Sequence, residues 1–470
     1  MVIGRIAGTP VLVGAAMLLT GPPAQSQESI EGHWAGAIVV MGQEIGIVVH
    51  FLSTDGEPAG TIDVPLQGAT GLPLNAVRVA GPAVHFEMLP GPRVAVFDGV
   101  IEGDSIGGTF TQSGVSGTFW LKPSAAPVEE PEEPVPYIEE EVQFANGDVT
   151  LAGTLTLPPT GGPHPAVVLI TGSGAQNRDE EIFGFKPFRM IADHLTRQGI
   201  AVLRYDDRGV GGSSGSVRDA TSDDFAGDAL SGVRLLKQRP DIKSEAVGLI
   251  GHSEGAIVAS IAASRSPDVA FIVLLAGTAV SGEEILYEQG RLILTANGAT
   301  PEQLETQRQT QAMLFEAVRT NGDWDRVREE LGRQVRESFD QLPPAQREGI
   351  ADVDTWVTSS VNQQIAAVES PWFRFFLDYD PATALERVTV PVLAVFGEKD
   401  LQVPPSVTRQ PMQRALEAAG NRDFQIEVLP EANHLFLAAY TGSPSEYASL
   451  DKVFVDGFLE LMSSWIGERF

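Results

Sequence analysis

The chain has 470 residues, 43% hydrophobic and 20% charged, a balance that excludes a disordered or membrane-embedded protein and suits more than one globular domain. Its 62 acidic against 32 basic residues give a formal net charge of −30, a surface that repels phosphate backbones and anionic lipid and so argues against nucleic-acid and membrane-surface roles. It contains no cysteine, which excludes disulfides, thiolate zinc sites and cysteine nucleophiles together.

Residues 1–26 carry one basic residue, Arg5, an apolar run from Val11 to Leu19, the breaker Gly21-Pro22-Pro23 and a small-x-small pattern at Ala24-Gln25-Ser26. That is the layout of a secretory signal peptide. The apolar run is shorter than the ~20 residues of a membrane-spanning helix, so no stable membrane insertion is expected after cleavage. With no cysteine to lipidate, the mature chain is expected to be periplasmic or secreted rather than a lipoprotein.

Residues 27–123 alternate short β-type runs ("WAGAIVV", "IGIVVHFL", "AVHFEML", "VSGTFWLK") with glycine turns, which predicts an all-β accessory domain, a small antiparallel sandwich or barrel. His33, His50 and His85 are far apart in sequence and read as half-buried strand residues rather than ligands. "APVEEPEEPVPYIEEE", Ala126 to Glu141, is stiffened by prolines and extended by like charges, and a linker is placed at 124–138.

From residue 139 to 470 strands alternate with helical segments, the pattern of a mostly parallel sheet flanked by helices. "VQFANGDVTLAGTLTLP" predicts a lead-in hairpin turning on Asn146-Gly147. "AVVLIT", "AVLRYD", "VGLIGH", "FIVLLA" and "PVLAVFG" are continuous apolar runs of the kind that form buried parallel strands, with "FQIEVLP" the last of the series. Residues 280–385, approximately, are helical and too long for a crossover, so they predict a helical lid; within it Thr300-Pro301-Glu302-Gln303 is a capping box and Asn321-Gly322 a helix end.

"GLIGHSEGAIVAS" places Ser253 between Gly251 and Gly255 where a buried strand ends and a small-residue helix begins. A serine hydroxyl becomes a nucleophile only with a neighbouring base, a group that orients the base, and donors for the developing oxyanion. A tight strand-to-helix turn leaves no room for side chains on either side, which explains the glycines, and the helix start brings the Glu254 N–H toward the same point. In a chain of this kind the acid and then the histidine follow the serine. His434, in "VLPEANHLF", is the only histidine C-terminal to Ser253; His252 is adjacent, and its side chain is expected to diverge on the turn. Asp400 in "FGEKDLQVPP" is the orienting acid, with Glu398 the alternative.

The loop "LITGSGAQNRDEE" is expected to supply the second oxyanion donor, the Ser173 N–H. Arg178, Asp179 and Glu180 in that loop either touch substrate or close the loop as ion pairs, and Asp207 and Arg208 in "RYDDRGVGGSSG" brace their loop.

"GSGAQNRDE", "RYDDRGVGGSSG", "GHSEG", "FGEKDLQVPP" and "NHLF", in this order, resemble the α/β-hydrolase fold family, and within it bacterial serine carboxylesterases with an added N-terminal β domain. The resemblance covers Glu139 to Phe470 and departs at Ala256, where many relatives have a second glycine, a change compatible with a helix start. It implies a catalytic triad of Ser253, Asp400 and His434, a small-molecule ester of small to medium acyl chain as substrate, an acyl-enzyme intermediate, and no metal or organic cofactor.

In "ESPWFRFFLDYDP" Trp372, Phe373, Phe375 and Phe376 either anchor the lid as core or, for Trp372 and Phe376, line an acyl pocket. Two other functions compete: a peptidase of the same fold that uses Glu283, Glu284 or Glu288 to hold a substrate amine, and a non-catalytic binding protein, against which all three triad residue types are present.

Overall fold

The computed structural model of the protein describes residues 30–40, 43–54, 57–64, 69–88, 94–113, 115–125 and 134–470. The expected signal peptide and most of the expected linker lie outside them.

Eight strands, β1 (Gly32–Val40) through β8 (Val115–Pro123), pair each with the next in antiparallel fashion, and β8 returns to β1 in the register Ile38↔Phe119. The accessory domain is therefore a closed barrel, not a sandwich, and closure removes both sheet edges. Alternate residues point inward, and Phe51, Phe86, Phe97, Phe110 and Phe119 fill the interior with ring centroids 4.5–5.7 Å apart. His33 and His50 face each other on paired strands, rings stacked at 3.9 Å, and the His85 ring bonds Asp98 at 2.7 Å. Among the described residues no group of three or more His, Cys, Asp or Glu side chains is placed to hold a metal ion. The barrel touches the lid where the Ser116 N–H of β8 donates to the Gly349 carbonyl at 3.0 Å.

The second domain begins with β9 (Ile138–Asn146) and β10 (Val149–Leu157). Their two-residue turn is Gly147-Asp148, one residue beyond the predicted Asn146-Gly147, because Asn146 pairs with Val149 and Gly147 takes the left-handed φ of 59°. There follow β11 (His164–Ile170), α1 (Pro187–Arg197), β12 (Ala201–Tyr205), α2 (Ser222–Lys237), β13 (Ile242–His252), α3 (Glu254–Arg265) and β14 (Ile272–Leu275). The lid comes next, comprising α4 (Gly282–Ala296), α5 (Pro301–Thr320), α6 (Trp324–Gln341), α7 (Pro344–Glu348), α8 (Val353–Val368), α9 (Pro371–Asp378) and α10 (Ala382–Leu385). The chain then returns through β15 (Val392–Gly397), α11 (Pro405–Ala418), β16 (Phe424–Leu429) and α12 (Phe458–Gly467).

The sheet order is β16-β15-β14-β13-β11-β12-β10-β9, with β10 alone running opposite to the rest and so antiparallel to both β12 and β9. Each apolar run forms a strand because both faces are covered: α2, α3 and α11 pack on one side through Val233, Ile257 and Met412, and α1 and α12 on the other through Phe188, Ile191 and Trp465. The lid has its own small core around Phe315, Val357, Ile365 and Phe373. Thr300 and Gln303 cap α5 reciprocally, at 2.8 and 3.3 Å, and Asn321 ends it in the left-handed conformation. In an open parallel sheet, ligands bind beyond the carboxyl ends of the strands. The ends of β11, β13, β15 and β16 are where the chemistry-bearing side chains gather.

Candidate active site

Ser253 occupies the turn between β13 and α3 with φ 55° and ψ −116°, a conformation costly for a residue with a side chain and one that lifts it out of the sheet. The turn is as tight as the two glycines imply: a Cβ on Gly251 would lie 2.0 Å from the Gly255 carbonyl oxygen, and one on Gly255 would lie 2.2 Å from that of Ile170. The Ser253 N–H is held by the Leu275 carbonyl at 2.8 Å.

Asp400 and His434 come from the loops after β15 and β16. The Asp400 Oδ2 faces His434 Nδ1 at 2.8 Å, while its Oδ1 accepts the Gln402 and Val403 N–H groups, both at 2.8 Å. Asp400 is 1% exposed, and its second oxygen is held by the chain that follows it. Glu398, the alternative acid, is exposed and accepts the Glu431 N–H at 3.1 Å, so it does not reach His434. Asn433 shapes the histidine loop by accepting the Leu435 and Leu437 N–H groups at 2.9 and 3.0 Å. With Nδ1 committed to Asp400, Nε2 is the nitrogen available for chemistry, and Ser253 and His434 line the same cavity of about 460 Å³.

Ser173 and Glu254 line that cavity too. The Gly172 N–H is already spent on Glu180 Oε1, at 2.7 Å, so the donor left to this loop beside Ser253 is that of Ser173. The approach is close: a Cβ on Gly172 would sit 3.3 Å from that of Ser253. Glu254 begins α3, and its side chain does more than the sequence foretold. Its Oε1 accepts the Ser222 hydroxyl at 2.6 Å and the Trp372 indole N–H at 2.7 Å. Burial pushes its pKa up against the opposing hydrogen bonds of Ser222, Trp372 and Ser173.

Trp372 and Phe376 both line the cavity, their rings stacked at 5.3 Å, whereas Phe373 is part of the lid core and Phe375 packs on the sheet side. Trp372 also packs against the lid core and Phe376 against the sheet core, so these two both anchor and line the cavity. The lid acids do not reach the cavity. Glu283 pairs with Arg319 and Glu288 with Arg291, each at 2.6 Å, and with Glu284 they border a separate opening, because their face of α4 points away from Ser253.

The remaining loop charges brace structure. Arg178 holds Asp206 through two bonds of 2.8 and 3.2 Å and Glu141 at 2.7 Å; Asp179 pairs with Arg204; Arg208 clasps Asp228 at 2.7 and 2.9 Å. Asp207 accepts the Thr171 hydroxyl and the Gln176 N–H at 2.8 and 2.9 Å, and burial raises its pKa to about 8.

Three cavity residues were not foreseen. His252 turns its ring to Glu180 and the His434 carbonyl and lines the cavity from there. Glu180 is the loop residue whose bond closes the loop onto the sheet, and its partner is His252. Tyr447, whose hydroxyl bonds the Gln402 amide at 3.0 Å and whose pKa is pushed well up by burial, lies in a late loop with no motif to mark it. For His252 the available signal was its place beside Ser253.

A mostly parallel sheet with a strained serine at one strand end and an Asp–His pair at two others is a hydrolase scaffold. The chain belongs to the alpha/beta hydrolase family, whose model matches residues 167–450. It is similar to Esterase EstD of Thermotoga maritima, 28% identical over 350 residues that make up 73% of this chain and 72% of that one. Among solved structures it is similar to the Pyrococcus furiosus esterase Pf2001, with 16% identity, a TM-score of 0.44, and coverage of 71% of this chain and 92% of that one. It is also similar to a 2,6-dihydroxy-pseudo-oxynicotine hydrolase, with 16% identity, a TM-score of 0.39, and coverage of 71% and 67%.

Proposed function

We propose that the protein is a serine carboxylesterase acting outside the cytoplasm on esters of small to medium acyl chain. The observation that carries this reading is the buried 2.8 Å His434–Asp400 pair opening, with Ser253, on one largely apolar cavity. The similarity to a protein named as an esterase supports it.

Asp400 holds His434 in the tautomer with its proton on Nδ1, so Nε2 can take the Ser253 hydroxyl proton as Oγ attacks the ester carbonyl. The Ser173 and Glu254 N–H groups stabilise the oxyanion. Protonated His434 then hands its proton to the leaving alcohol, and water, activated by the same nitrogen, releases the acid and restores Ser253. Protein groups and water account for every proton in this cycle, so the reaction calls for no metal or cofactor. Ile257, Leu286, Trp372, Phe376 and Val403 give the cavity apolar walls, and its volume of about 460 Å³ suits an acyl chain of limited length.

The test is hydrolysis of p-nitrophenyl esters across acyl lengths by the chain from Gln27 and by Ser253→Ala, with aminoacyl p-nitroanilides alongside. Wild type turns over the shorter esters, and Ser253→Ala loses activity by about 10⁴- to 10⁶-fold. A folded Ser253→Ala that retains activity, or turnover of the anilides alone, overturns the reading.

A further inference from the structure

Directly before the nucleophile lies a buried pair of ionisable groups that the mechanism above does not use. Glu180 is 4% exposed and has a φ of 52°, so its backbone is strained to bring the carboxylate inward. Its Oε1 accepts two donors, the Gly172 N–H at 2.7 Å and His252 Nδ1 at 2.8 Å. The other nitrogen of that ring, Nε2, lies 2.9 Å from the His434 carbonyl oxygen. A carbonyl can only accept, so Nε2 carries a hydrogen and donates.

These three bonds join the ends of three strands. Gly172 follows β11 and precedes the Ser173 N–H; His252 ends β13 and precedes Ser253; His434 lies in the loop after β16. The two histidine rings stand 4.8 Å apart by centroid. We propose that Glu180 and His252 form a positioning bridge that keeps the Ser173 N–H and the His434 ring in register with Ser253. Neither residue exchanges a proton with substrate. Burial alone would lower the His252 pKa, but the charge and hydrogen bond of Glu180, with the His434 carbonyl, outweigh it and leave it raised, which favours the ring that donates through both nitrogens. A buried hydrogen-bonded pair of this kind favours one arrangement over its neighbours, and here the arrangement is that of the reacting groups.

The inference rests on the esterase reading, and the ring's two nitrogens allow each arm to be cut separately. His252→Asn keeps a donor near the Nδ1 position and drops the His434 arm; His252→Gln keeps one near Nε2 and drops the Glu180 arm; Glu180→Gln keeps an acceptor for the Gly172 N–H without the charge. For each we expect kcat on a short p-nitrophenyl ester, expressed per site titrated by a fluorophosphonate, to fall about 10- to 100-fold, with KM changed by no more than about twofold. The double variant Glu180→Gln/His252→Gln should be little worse than the poorer single one, since both cut one unit.

A merely structural role would lower the melting temperature and the titrated fraction and leave kcat per labelled site unchanged; that result, or additive losses, overturns the bridge. If the histidine variants do not fold, the near-isosteric Glu180→Gln carries the test with the same expected loss. If wild type is neither labelled at Ser253 nor active on esters, the esterase reading falls and takes the bridge with it. If wild type is labelled and active and the variants match it, the bridge alone falls.

Discussion

Beside the buried Asp206 and Asp228, which arginines hold, two further sets of carboxylates are handled in contrasting ways. At the carboxyl ends of the parallel strands Glu180, Glu254 and Asp400 are buried and Asp207 half-buried, all satisfied by backbone N–H groups, hydroxyls, an indole and two imidazoles, with no arginine or lysine among those bonds. On the lid Glu283, Glu288 and Glu330 lie at the surface and pair with Arg319, Arg291 and Arg333. Exposed pairs of the second kind are worth little and are screened by salt. Buried groups of the first kind cost free energy wherever a partner is lost, so they hold nearby atoms in fixed positions. The charge on the lid keeps helices in solution, and the charge at the strand ends sets geometry.

The largest break in this comparison is Asp400→Asn. The amide oxygen can still accept the Gln402 and Val403 N–H groups, so the loop should keep its shape. Its NH₂, however, would donate to His434 Nδ1 and move the ring proton to Nε2, where it blocks abstraction from Ser253. We expect kcat to fall about 10⁴-fold with little change in melting temperature. Steady-state kinetics and thermal melts on the same preparation check this; a loss under tenfold would mean that Asp400 only supports the loop.

The next break uses pH, with opposite signs in the two regions. In the folded protein Asp207 titrates at about 8 because it is buried, against ~3.9 for an unfolded aspartate, so between these values the native state holds a proton that the unfolded state has released. Wild type therefore loses stability as pH rises from about 4 through about 8, and Asp207→Asn lacks that slope. The variant should gain on wild type by about 1–3 kcal/mol between pH 5 and pH 9, somewhat under the full ~1.4 kcal/mol per pK unit because Asp207 is only half-buried and water screens its charge. Glu283 goes the other way. Its hydrogen bond to Arg319 lowers its pKa, so what it contributes is present above the unfolded value and lost as pH falls through the folded one. Glu283→Gln should differ from wild type only slightly, and that difference should fade in acid. Melts of both variants at pH 3, 5, 7 and 9 check the signs, and parallel curves would erase the distinction between the regions.

The contrast also explains what the sequence made legible. Parallel strands declare themselves as unbroken apolar runs because both faces are covered, and Gly251-x-Ser253-x-Gly255 declares a turn because backbone atoms sit where side chains would be. Asp400 and His434 were accessible through order along the chain, one acid-bearing strand end and one late histidine. Relations across the sheet were not accessible. Glu180 and His252 are 72 positions apart and meet only through the pairing of β11 with β13. Barrel closure depends on β1 finding β8, which alternation within each strand does not encode. The face of α4 that carries Glu283 and Glu288 was ambiguous because a solvated acidic face and one lining a cavity read alike until the neighbouring helices are in place.

The smallest expected effect lies where the two regions meet. Trp372 belongs to the lid helix α9, yet its indole donates to Glu254, one residue past Ser253, and its ring stacks on Phe376 over the cavity. Trp372→Phe keeps a ring for the stack and removes the donor; with Ser222 still bonded to Glu254, the carboxylate keeps a partner, so kcat/KM should drop about two- to fivefold, evenly across acyl lengths, the loss of one hydrogen bond. Trp372→Ala removes the wall as well, and an enlarged apolar cavity rewards added methylenes, so the ratio of kcat/KM for a longer over a shorter ester should rise about tenfold. A p-nitrophenyl ester series on both variants separates the two effects. If both lower activity evenly and the length profile stays put, Trp372 is an anchor between lid and sheet, and the wall that sets chain length must be sought in Leu286 or Phe376.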